Sequence, residues 1–334
     1  MNDIPSPAAD AAISVQGVTK TFGAMTAVDD LDLVVPRGGL YGFIGPNGAG
    51  KTTAIRMIMS ILFPDKGRLS VLGHASALDA KDRIGYLPEE RGVYRKMRVG
   101  DFLSYIARLK GADPAGLRNR IRSSLERVGL EAVERKRCEE LSKGMLQKVQ
   151  FTAAIIHAPD LLILDEPFSG LDPVSMRLLK EMILAEHRRG ATVLFSTHVM
   201  PQAEEICEHV IMIHRGRKVL DADLSSIRRR YDPRTIQFEP LDPDADVAPL
   251  AALPEVERVE PAERGFDVGL ASGVDPAEAM RRIVAAVPPA RIELARQRLE
   301  DVFIEIVSGP DGEVEQQEAL RADLRAAEAQ EATA

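Results

Sequence analysis

A glycine-rich run that links an apolar segment to a helical segment constrains this fold more than any other feature of the sequence. The apolar segment Leu40–Ile44 has the length of a buried strand, and Thr52–Phe63 has the pattern of a helix that stops before Pro64. A strand, a tight turn and a helix in this order are typical of an α/β protein with a mainly parallel sheet. The run itself consists of Gly45, Pro46, Asn47, Gly48, Ala49, Gly50, Lys51, Thr52 and Thr53.

The residue types of this run predict a site for a nucleoside triphosphate. Glycines allow a tight turn in which successive backbone N–H groups surround an anion, and the helix N-terminus adds partial positive charge. Lys51 is expected to reach the β- and γ-phosphates, and the Thr52 hydroxyl is expected to bind Mg²⁺. A glycine turn without a ligand is the simpler alternative, but every motif position is matched between a strand and a helix.

Other short apolar runs predict the remaining strands of the sheet. Leu161–Leu164 contains four consecutive apolar residues, which suits a strand that is buried on both faces. Residues 98–148 have apolar positions at helical spacing and predict a mainly helical insert. The predicted strands are Ile13–Val18, Leu31–Val35, Leu40–Ile44, Leu161–Asp165, Thr192–Ser196 and Val210–His214.

Two acidic residues follow the most apolar of these strands. Asp165 and Glu166 come directly after Leu161–Leu164, at the strand end where α/β sheets bind their ligands. Asp165 is suited to hold Mg²⁺ through water, and Glu166 is suited to act as general base toward an attacking water. An acidic pair in a polar turn is the structural alternative, but the upstream phosphate loop favours a catalytic role.

Two further polar positions are candidates for contact with the γ-phosphate. Ser142 begins an apparent helix, where it can be either an N-cap or a phosphate ligand, and Gly144 follows two residues later. His198 comes just after the predicted strand Thr192–Ser196. A single histidine is usually structural, but one beyond a sheet strand in a nucleotide-binding fold is a candidate phosphate contact.

The order of these elements resembles the ATP-binding subunit of an ATP-binding cassette (ABC) transporter over about residues 11–220. The resemblance implies a P-loop NTPase fold of ABC type with ATP and Mg²⁺ as cofactors. It implies that Phe22 stacks on adenine and that Ser169–Asp172 forms the D-loop. It also implies a head-to-tail dimer in which ATP lies between the Lys51 loop of one subunit and Ser142 of the other.

The sequence departs from the usual family pattern at three positions. The signature of the family reads Leu-Ser-Gly-Gly-Gln, whereas its third and fifth positions here are Lys143 and Met145. The Q-loop glutamine of the family aligns with Glu89, whose carboxylate is able to reach Mg²⁺ or water. The segment Tyr86–Gly92 resembles a bacterial exporter subgroup, related to sodium- and drug-efflux ATPases, whose members carry a small C-terminal domain.

These patterns divide the chain into three predicted parts. Residues 1–222 are expected to form the ATP-binding domain, with its helical subdomain at about 98–148. Residues 228–307 are expected to form a small α+β accessory domain, and residues 309–334 an acidic, Ala- and Glu-rich tail. Within the accessory domain the predicted elements are strands Thr235–Glu239 and Phe266–Leu270 and helix Pro276–Ala286.

Composition excludes several classes of function. A net charge of −8 disfavours broad nucleic-acid binding, and two cysteines fit a reducing cytosol rather than a disulfide framework. No apolar run reaches the roughly 20 residues that span a bilayer. Composition therefore favours a cytoplasmic protein. The resemblance implies that it reaches the inner face of the membrane through a separate permease, as an exporter subunit and a homodimer.

Two other functions remain open at this stage. The first is a non-transport ABC ATPase that acts on nucleic acid or ribosomes, although the helical insert is short for a DNA-repair protein and there is one cassette. The second is a regulatory module that binds ATP without turnover, against which the presence of Glu166 and His198 argues.

Overall fold

The computed structural model describes residues 11–90, 92–230, 234–262, 264–295, 298–308 and 324. The predicted acidic tail, residues 309–334, therefore lies outside the described residues except for Leu324. The chain forms two compact units, one reaching to Leu224 and resuming at Phe303, the other comprising Ser225–Val302.

The strands are β1 (Ala11–Phe22), β2 (Met25–Pro36), β3 (Leu40–Ile44), β4 (Lys66–Val71), β5 (Ile84–Leu87), β6 (Leu161–Asp165), β7 (Thr192–Thr197), β8 (His209–His214), β9 (Arg217–Asp223), β10 (Thr235–Pro240), β11 (Val256–Pro261), β12 (Phe266–Leu270) and β13 (Pro289–Leu294). The helices are α1 (Lys51–Ile58), α2 (Val99–Leu109), α3 (Leu117–Arg127), α4 (Lys143–Ile155), α5 (Pro173–Arg188), α6 (Met200–Ile206), α7 (Leu224–Arg230), α8 (Ala248–Ala251), α9 (Pro276–Ala286) and α10 (Leu299–Ser308).

A six-stranded sheet with the order β5-β6-β7-β3-β8-β9 forms the centre of the first unit. Its first five strands are parallel, and β9 pairs antiparallel with β8 at the edge. Every residue of β3, β6 and β7 is buried, as expected for strands covered on both faces. The predicted mainly parallel α/β fold is therefore confirmed.

A second, antiparallel sheet with the order β2-β1-β4 packs over α1. Its alternating apolar side chains, such as Val15 and Leu33, join Ile55 and Ile58 of α1 in one buried cluster. This cluster holds the glycine-rich loop between two sheets, since the loop leaves β3 and enters α1.

The first helix ends earlier than predicted. α1 stops at Ile58, not at Phe63, because the backbone reverses at Ser60, whose φ of 56° is left-handed. The Ser60 hydroxyl accepts a hydrogen bond from Ala77 N at 3.0 Å, which anchors the turn. Pro64 therefore follows a turn that has already ended the helix. The mainly helical insert is present as α2, α3 and α4, and α4 continues to Ile155 toward β6.

The second unit is built from an antiparallel sheet with the order β11-β12-β10-β13. The chain order of strand, helix, two strands, helix and strand is that of a ferredoxin-like fold. Leu250 of α8 and Ile283 of α9 pack on Ile236, Phe238 and Val268 of the sheet. Two strands were not predicted, because charged residues interrupt β11 and Pro289 begins β13.

The unit boundary differs from the predicted span of 228–307. The ring of Phe303 is fully buried and lies 5.5 Å from the ring of His214, edge to face. Since His214 ends β8, residues 303–308 belong to the first unit. No helix among the described residues is both long enough and apolar enough to cross a bilayer.

Candidate active site

The glycine-rich loop leaves β3 at Gly45 and enters α1 at Lys51, as the sequence predicts. Gly45 has a φ of 155°, and a Cβ there would lie 2.1 Å from the carbonyl oxygen of Ile213. Gly50 has a φ of 105°, and a Cβ there would lie 2.3 Å from the carbonyl oxygen of Ala27. Side chains at these two positions would clash with neighbouring backbone, so glycine is required for the loop to close against β2 and β8.

Lys51 is buried at the base of this loop. Its Nζ donates to the carbonyl oxygens of Gly45 at 2.7 Å and Pro46 at 3.2 Å, and it lies 3.8 Å from Glu166 Oε1. Burial lowers the pKa of the ammonium, while Glu166 and Asp165 oppose that shift. The loop therefore fixes a cation beside the carboxylates that follow β6.

Oxygen atoms from three elements meet beside Lys51. The Thr52 hydroxyl lies 3.4 Å from Asp165 Oδ1 and 3.5 Å from Glu89 Oε2. Ser196 on β7 donates to the same Oδ1, whereas the buried Oδ2 of Asp165 has no hydrogen-bond partner. Burial raises the pKa of Asp165. Burial is also the main reason that the pKa of the nearby Tyr86 is raised to about 12. These hard oxygen donors are of the type that Mg²⁺ prefers.

Glu166 is held in a strained backbone conformation directly after β6. Its φ of 48° is left-handed, which is uncommon for a residue with a side chain and is found at functional sites. His198 Nδ1 lies 2.9 Å from Glu166 Oε1, and the Glu166 backbone N–H donates to Ser196. The other carboxylate oxygen, Oε2, is buried without a hydrogen-bond partner. Such an oxygen is able to accept a proton from a water molecule.

Lys51, Thr52, Glu89 and Glu166 line a cleft of about 560 Å³. The cleft is also lined by Met25, Thr26 and Ala27 and by Arg215 and Gly216, which no sequence pattern identified. The turn at Arg215 and Gly216 is hydrogen-bonded to the glycine-rich loop, since the Gly216 N–H donates to the Ala49 carbonyl at 2.8 Å. An Arg-Gly pair after an apolar strand was the available signal, but its nearness to the loop depends on strand order and not on sequence spacing.

Seven predicted site residues lie outside the lining of this cleft. Gly45, Pro46, Asp165 and His198 are among them but contact the lining residues Lys51, Thr52 and Glu166. The other three are Phe22, Ser142 and Gly144. Phe22 is at the end of β1, is 45% exposed and has Lys20 Nζ 5.7 Å from its ring centroid. Ser142 is exposed and caps α4, since its hydroxyl accepts from Met145 N at 3.3 Å. Gly144 lies in the first turn of the same helix, where a Cβ would contact Leu171 at 3.6 Å. The helix cap thus exists, and the hydroxyl is open to solvent.

One contact that the sequence did not predict joins this helix to the acidic pair. Gln147 on α4 is buried, and its side-chain amide donates to the Pro167 carbonyl at 3.1 Å, one residue after Glu166. Asp172 caps α5 through Val174 N and Ser175 N at 3.0 and 2.9 Å. The Ser175 hydroxyl also donates to Asp172, at 2.6 Å, and this bond is the largest cause that lowers the pKa of Asp172, followed by the backbone bonds.

Comparison with known proteins identifies the family of this chain. The family model described as "ABC transporter" matches residues 28–169. The chain is 39% identical over 295 residues to the ABC transporter ATP-binding protein YhaQ of Bacillus subtilis, covering 88% of this chain and 98% of that protein. This chain belongs to the ATP-binding subunits of ABC transporters. As a member of that family, it binds ATP and couples ATP hydrolysis to transport.

Two further relatives of this ABC subunit agree with the assignment. It is 36% identical over 255 residues to Nod factor export ATP-binding protein I of Paraburkholderia xenovorans, covering 75% of this chain and 83% of that protein. A solved structure described as the ATP-binding subunit of an ABC transporter matches with a TM-score of 0.62 and 32% identity. That match covers 66% of this chain and 93% of the solved chain.

Proposed function

We propose that this ABC subunit powers an exporter whose transmembrane permease is a separate chain. The direction of transport is supported by the relative whose name specifies Nod factor export. A separate permease would supply the membrane-spanning part, since the matched relatives are named as ATP-binding proteins of transport systems. The subunit would then lie on the cytoplasmic face of the membrane, bound to that permease.

The observation that carries the site proposal is the convergence of one cation and two carboxylates at the glycine loop. Lys51 would neutralise charge on the β- and γ-phosphates, which would accept hydrogen bonds from backbone N–H groups of the glycine-rich loop. Glu166 would accept the proton of the attacking water through its unpartnered Oε2. His198, which lies 2.9 Å from Oε1, would hold that carboxylate in place and contact the γ-phosphate.

The oxygen donors beside Lys51 fit a magnesium ion. Thr52, Asp165 and Glu89 offer a hydroxyl and two carboxylates, and one Asp165 oxygen is buried without a partner. No group of three or more His, Cys, Asp or Glu side chains forms a metal site in the described part of the chain. Mg²⁺ is usually held by one or two carboxylates together with substrate phosphates, so such a cluster is not required. When bound, the ion would supply positive charge to the phosphate oxygens.

A second copy of the subunit would complete each site. Ser142 and Gly144 lie outside the cleft of their own chain, and the Ser142 hydroxyl is solvent-exposed. A head-to-tail homodimer with two-fold symmetry would bring these residues to the γ-phosphate held by the other copy. Phe22, which is 45% exposed at the end of β1, would stack on the adenine ring.

We assign an additional nucleotide contact to Arg215. This exposed residue lines the same cleft as Glu166, and no described residue forms an ion pair or hydrogen bond with its side chain. The next basic residue, Arg217, is instead bonded to Asp29 Oδ2 at 2.9 and 2.6 Å. A free guanidinium beside the glycine loop is suited to bind phosphate oxygens.

The unit Ser225–Val302 would serve as an accessory module without chemistry of its own. All proposed nucleotide contacts lie before it in the chain, and its core is formed by its own sheet and helices. A role in regulating dimer closure is the function that we propose for it.

The experiment that tests the site is magnesium-dependent phosphate release by the purified chain. Wild-type protein should hydrolyse ATP with Mg²⁺ and stop with a chelator. Asp165→Asn, which keeps the side-chain shape but removes the charge, should lose most turnover at saturating Mg²⁺. Full turnover by this variant would remove Asp165 from the site.

A further inference from the structure

The helical insert contains a second cleft, distinct from the one beside the glycine loop. It has a volume of about 390 Å³ and lies between α2, α3 and the segment that follows α3. Four arginines line it: Arg98, Arg108, Arg118 and Arg135. Neither the site proposed above nor the sequence motifs account for this cluster.

The four guanidinium groups have no partner among the residues that the structure describes. No side-chain hydrogen bond or ion pair joins any of them to another residue. Asp101 and Glu134 also line the cleft, so the cations exceed the carboxylates by two. Arginines that stabilise a fold are commonly bonded to carboxylates or carbonyls, as Arg83 is to Asp160 at 2.6 Å. These four are available to an external anion.

The charge of the surrounding segment is opposite to that of the chain as a whole. Residues 95–137 contain twelve Lys or Arg and five Asp or Glu, although the net charge of the chain is −8. α2 and α3 also begin at this cleft, through Gly100 and Leu117, and neither helix has a side-chain N-cap. The first turns of both helices therefore add positive potential to that of the arginines.

We propose that this arginine cleft binds a phosphate group. The forked guanidinium matches two phosphate oxygens at once, and four such groups around a concave site favour a di- or polyanion over chloride. The phosphate could belong to the headgroup of an anionic phospholipid or to a soluble polyphosphate, and both present the same oxygens to the arginines. This cleft shares no residue with the proposed ATPase site.

The test compares two double variants of the full chain with equal loss of charge. Arg108→Gln with Arg118→Gln removes two cations from the cleft. Arg120→Gln with Arg122→Gln removes two exposed cations from α3 that do not line it. Both pairs are made in a Lys51→Ala background, so that phosphate binding at the glycine loop does not contribute.

Binding is measured to inorganic pyrophosphate by calorimetry, and to phosphatidylglycerol vesicles by flotation with phosphatidylcholine vesicles as the neutral control. The cleft pair should weaken binding of at least one probe by about tenfold or more, and the control pair by less than about threefold. Vesicle binding alone identifies a lipid headgroup, and pyrophosphate binding alone identifies a soluble ligand. Equal losses in the two pairs, or no binding of either probe before the arginines are changed, would overturn the proposal.

Discussion

His198 Nδ1 lies 2.9 Å from Glu166 Oε1, and Lys51 Nζ lies 3.8 Å from the same oxygen. Both nitrogen groups therefore engage one side of the carboxylate, while Oε2 is buried without a hydrogen-bond partner. This asymmetry orients the side chain and leaves one oxygen for a water molecule. Glu166 is thus positioned through Oε1, whereas the proposed proton transfer would use Oε2. Different substitutions can therefore test the two roles.

Glu166→Gln should retain ATP binding and lower hydrolysis by about 10²–10⁴-fold, the usual contribution of a general base. The amide keeps the size of the side chain and its contact with His198 but cannot accept the proton. Equilibrium ATP titration and steady-state phosphate release measure the two effects. The variant should also accumulate an ATP-bound dimer in sedimentation, because closure would no longer be reversed by hydrolysis. Turnover equal to wild type would exclude Glu166 as the base.

Lys51→Ala should weaken ATP binding by about 10–100-fold, because it removes a charged donor opposite the phosphates. Far-ultraviolet circular dichroism should remain unchanged, since the fold of the loop is also fixed by Gly45 and Gly50. Equilibrium titration with ATP measures the affinity. An unchanged dissociation constant would contradict the assignment of the phosphate loop.

The sequence predicts where the glycine-rich loop and the acidic pair lie in the fold, because their placement depends on local patterns. Residues 45–53 are contiguous, and the strand that precedes Asp165 and Glu166 is recognised by four consecutive apolar residues. Their meeting point also follows from the sequence, since parallel strands end at one edge of a sheet. These features require only the chain order and the burial of short segments.

Several features of the fold and of the cleft are not predicted by the sequence, mostly because they depend on contacts between distant segments. Arg215 reaches the cleft because β8 pairs with β3, a strand order that no local pattern specifies. Gln147 meets Pro167 through packing of α4, and α1 ends early because of a left-handed turn at Ser60. The strand β13 was missed because a proline at its start and charged residues within it are atypical of a strand.

Arg215→Ala should weaken ATP binding by about tenfold, the effect of losing a charged hydrogen bond to phosphate. Arg217→Ala is the matched control, since that residue begins β9 two positions later and is bonded to Asp29. Its ATP affinity should stay within about twofold of wild type. Titration of the two variants under the same conditions gives the comparison. Equal losses would indicate that the turn as a whole is disturbed and that Arg215 does not contact the nucleotide.

His157 should make the stability of the first unit depend on pH. Burial lowers the pKa of its imidazole from 6.5 to about 4, and its Nε2 lies 3.2 Å from the Ile84 carbonyl oxygen. The unfolded chain therefore binds a proton below about pH 6.5 that the folded chain does not bind until about pH 4. The contribution of this group to the free energy of unfolding is at its maximum above pH 6.5 and is lost as the pH falls toward 4.

The loss should be about 1 kcal/mol at pH 5, after allowance for the partial exposure of the ring. His157→Gln keeps a hydrogen-bond donor but cannot titrate. Urea denaturation at pH 7.5 and pH 5 should therefore show a smaller drop in the unfolding midpoint for the variant than for wild type. An identical drop in both proteins would assign the pH dependence to other groups.

Ser142 has two separable roles, helix cap and proposed phosphate contact, and two substitutions distinguish them. Ser142→Ala removes the acceptor for Met145 N and should cost about 1 kcal/mol of stability. Ser142→Asn keeps a good capping side chain but replaces the hydroxyl. If the hydroxyl contacts the γ-phosphate across the dimer, both variants should lower ATP turnover by about 10²-fold, the effect of losing one charge-stabilising donor. Only the alanine variant should also have a lower unfolding midpoint.

Phosphate release and thermal denaturation of the two proteins measure these effects separately. Wild-type turnover in the asparagine variant, with the alanine variant merely destabilised, would mean that Ser142 caps α4 and does nothing more.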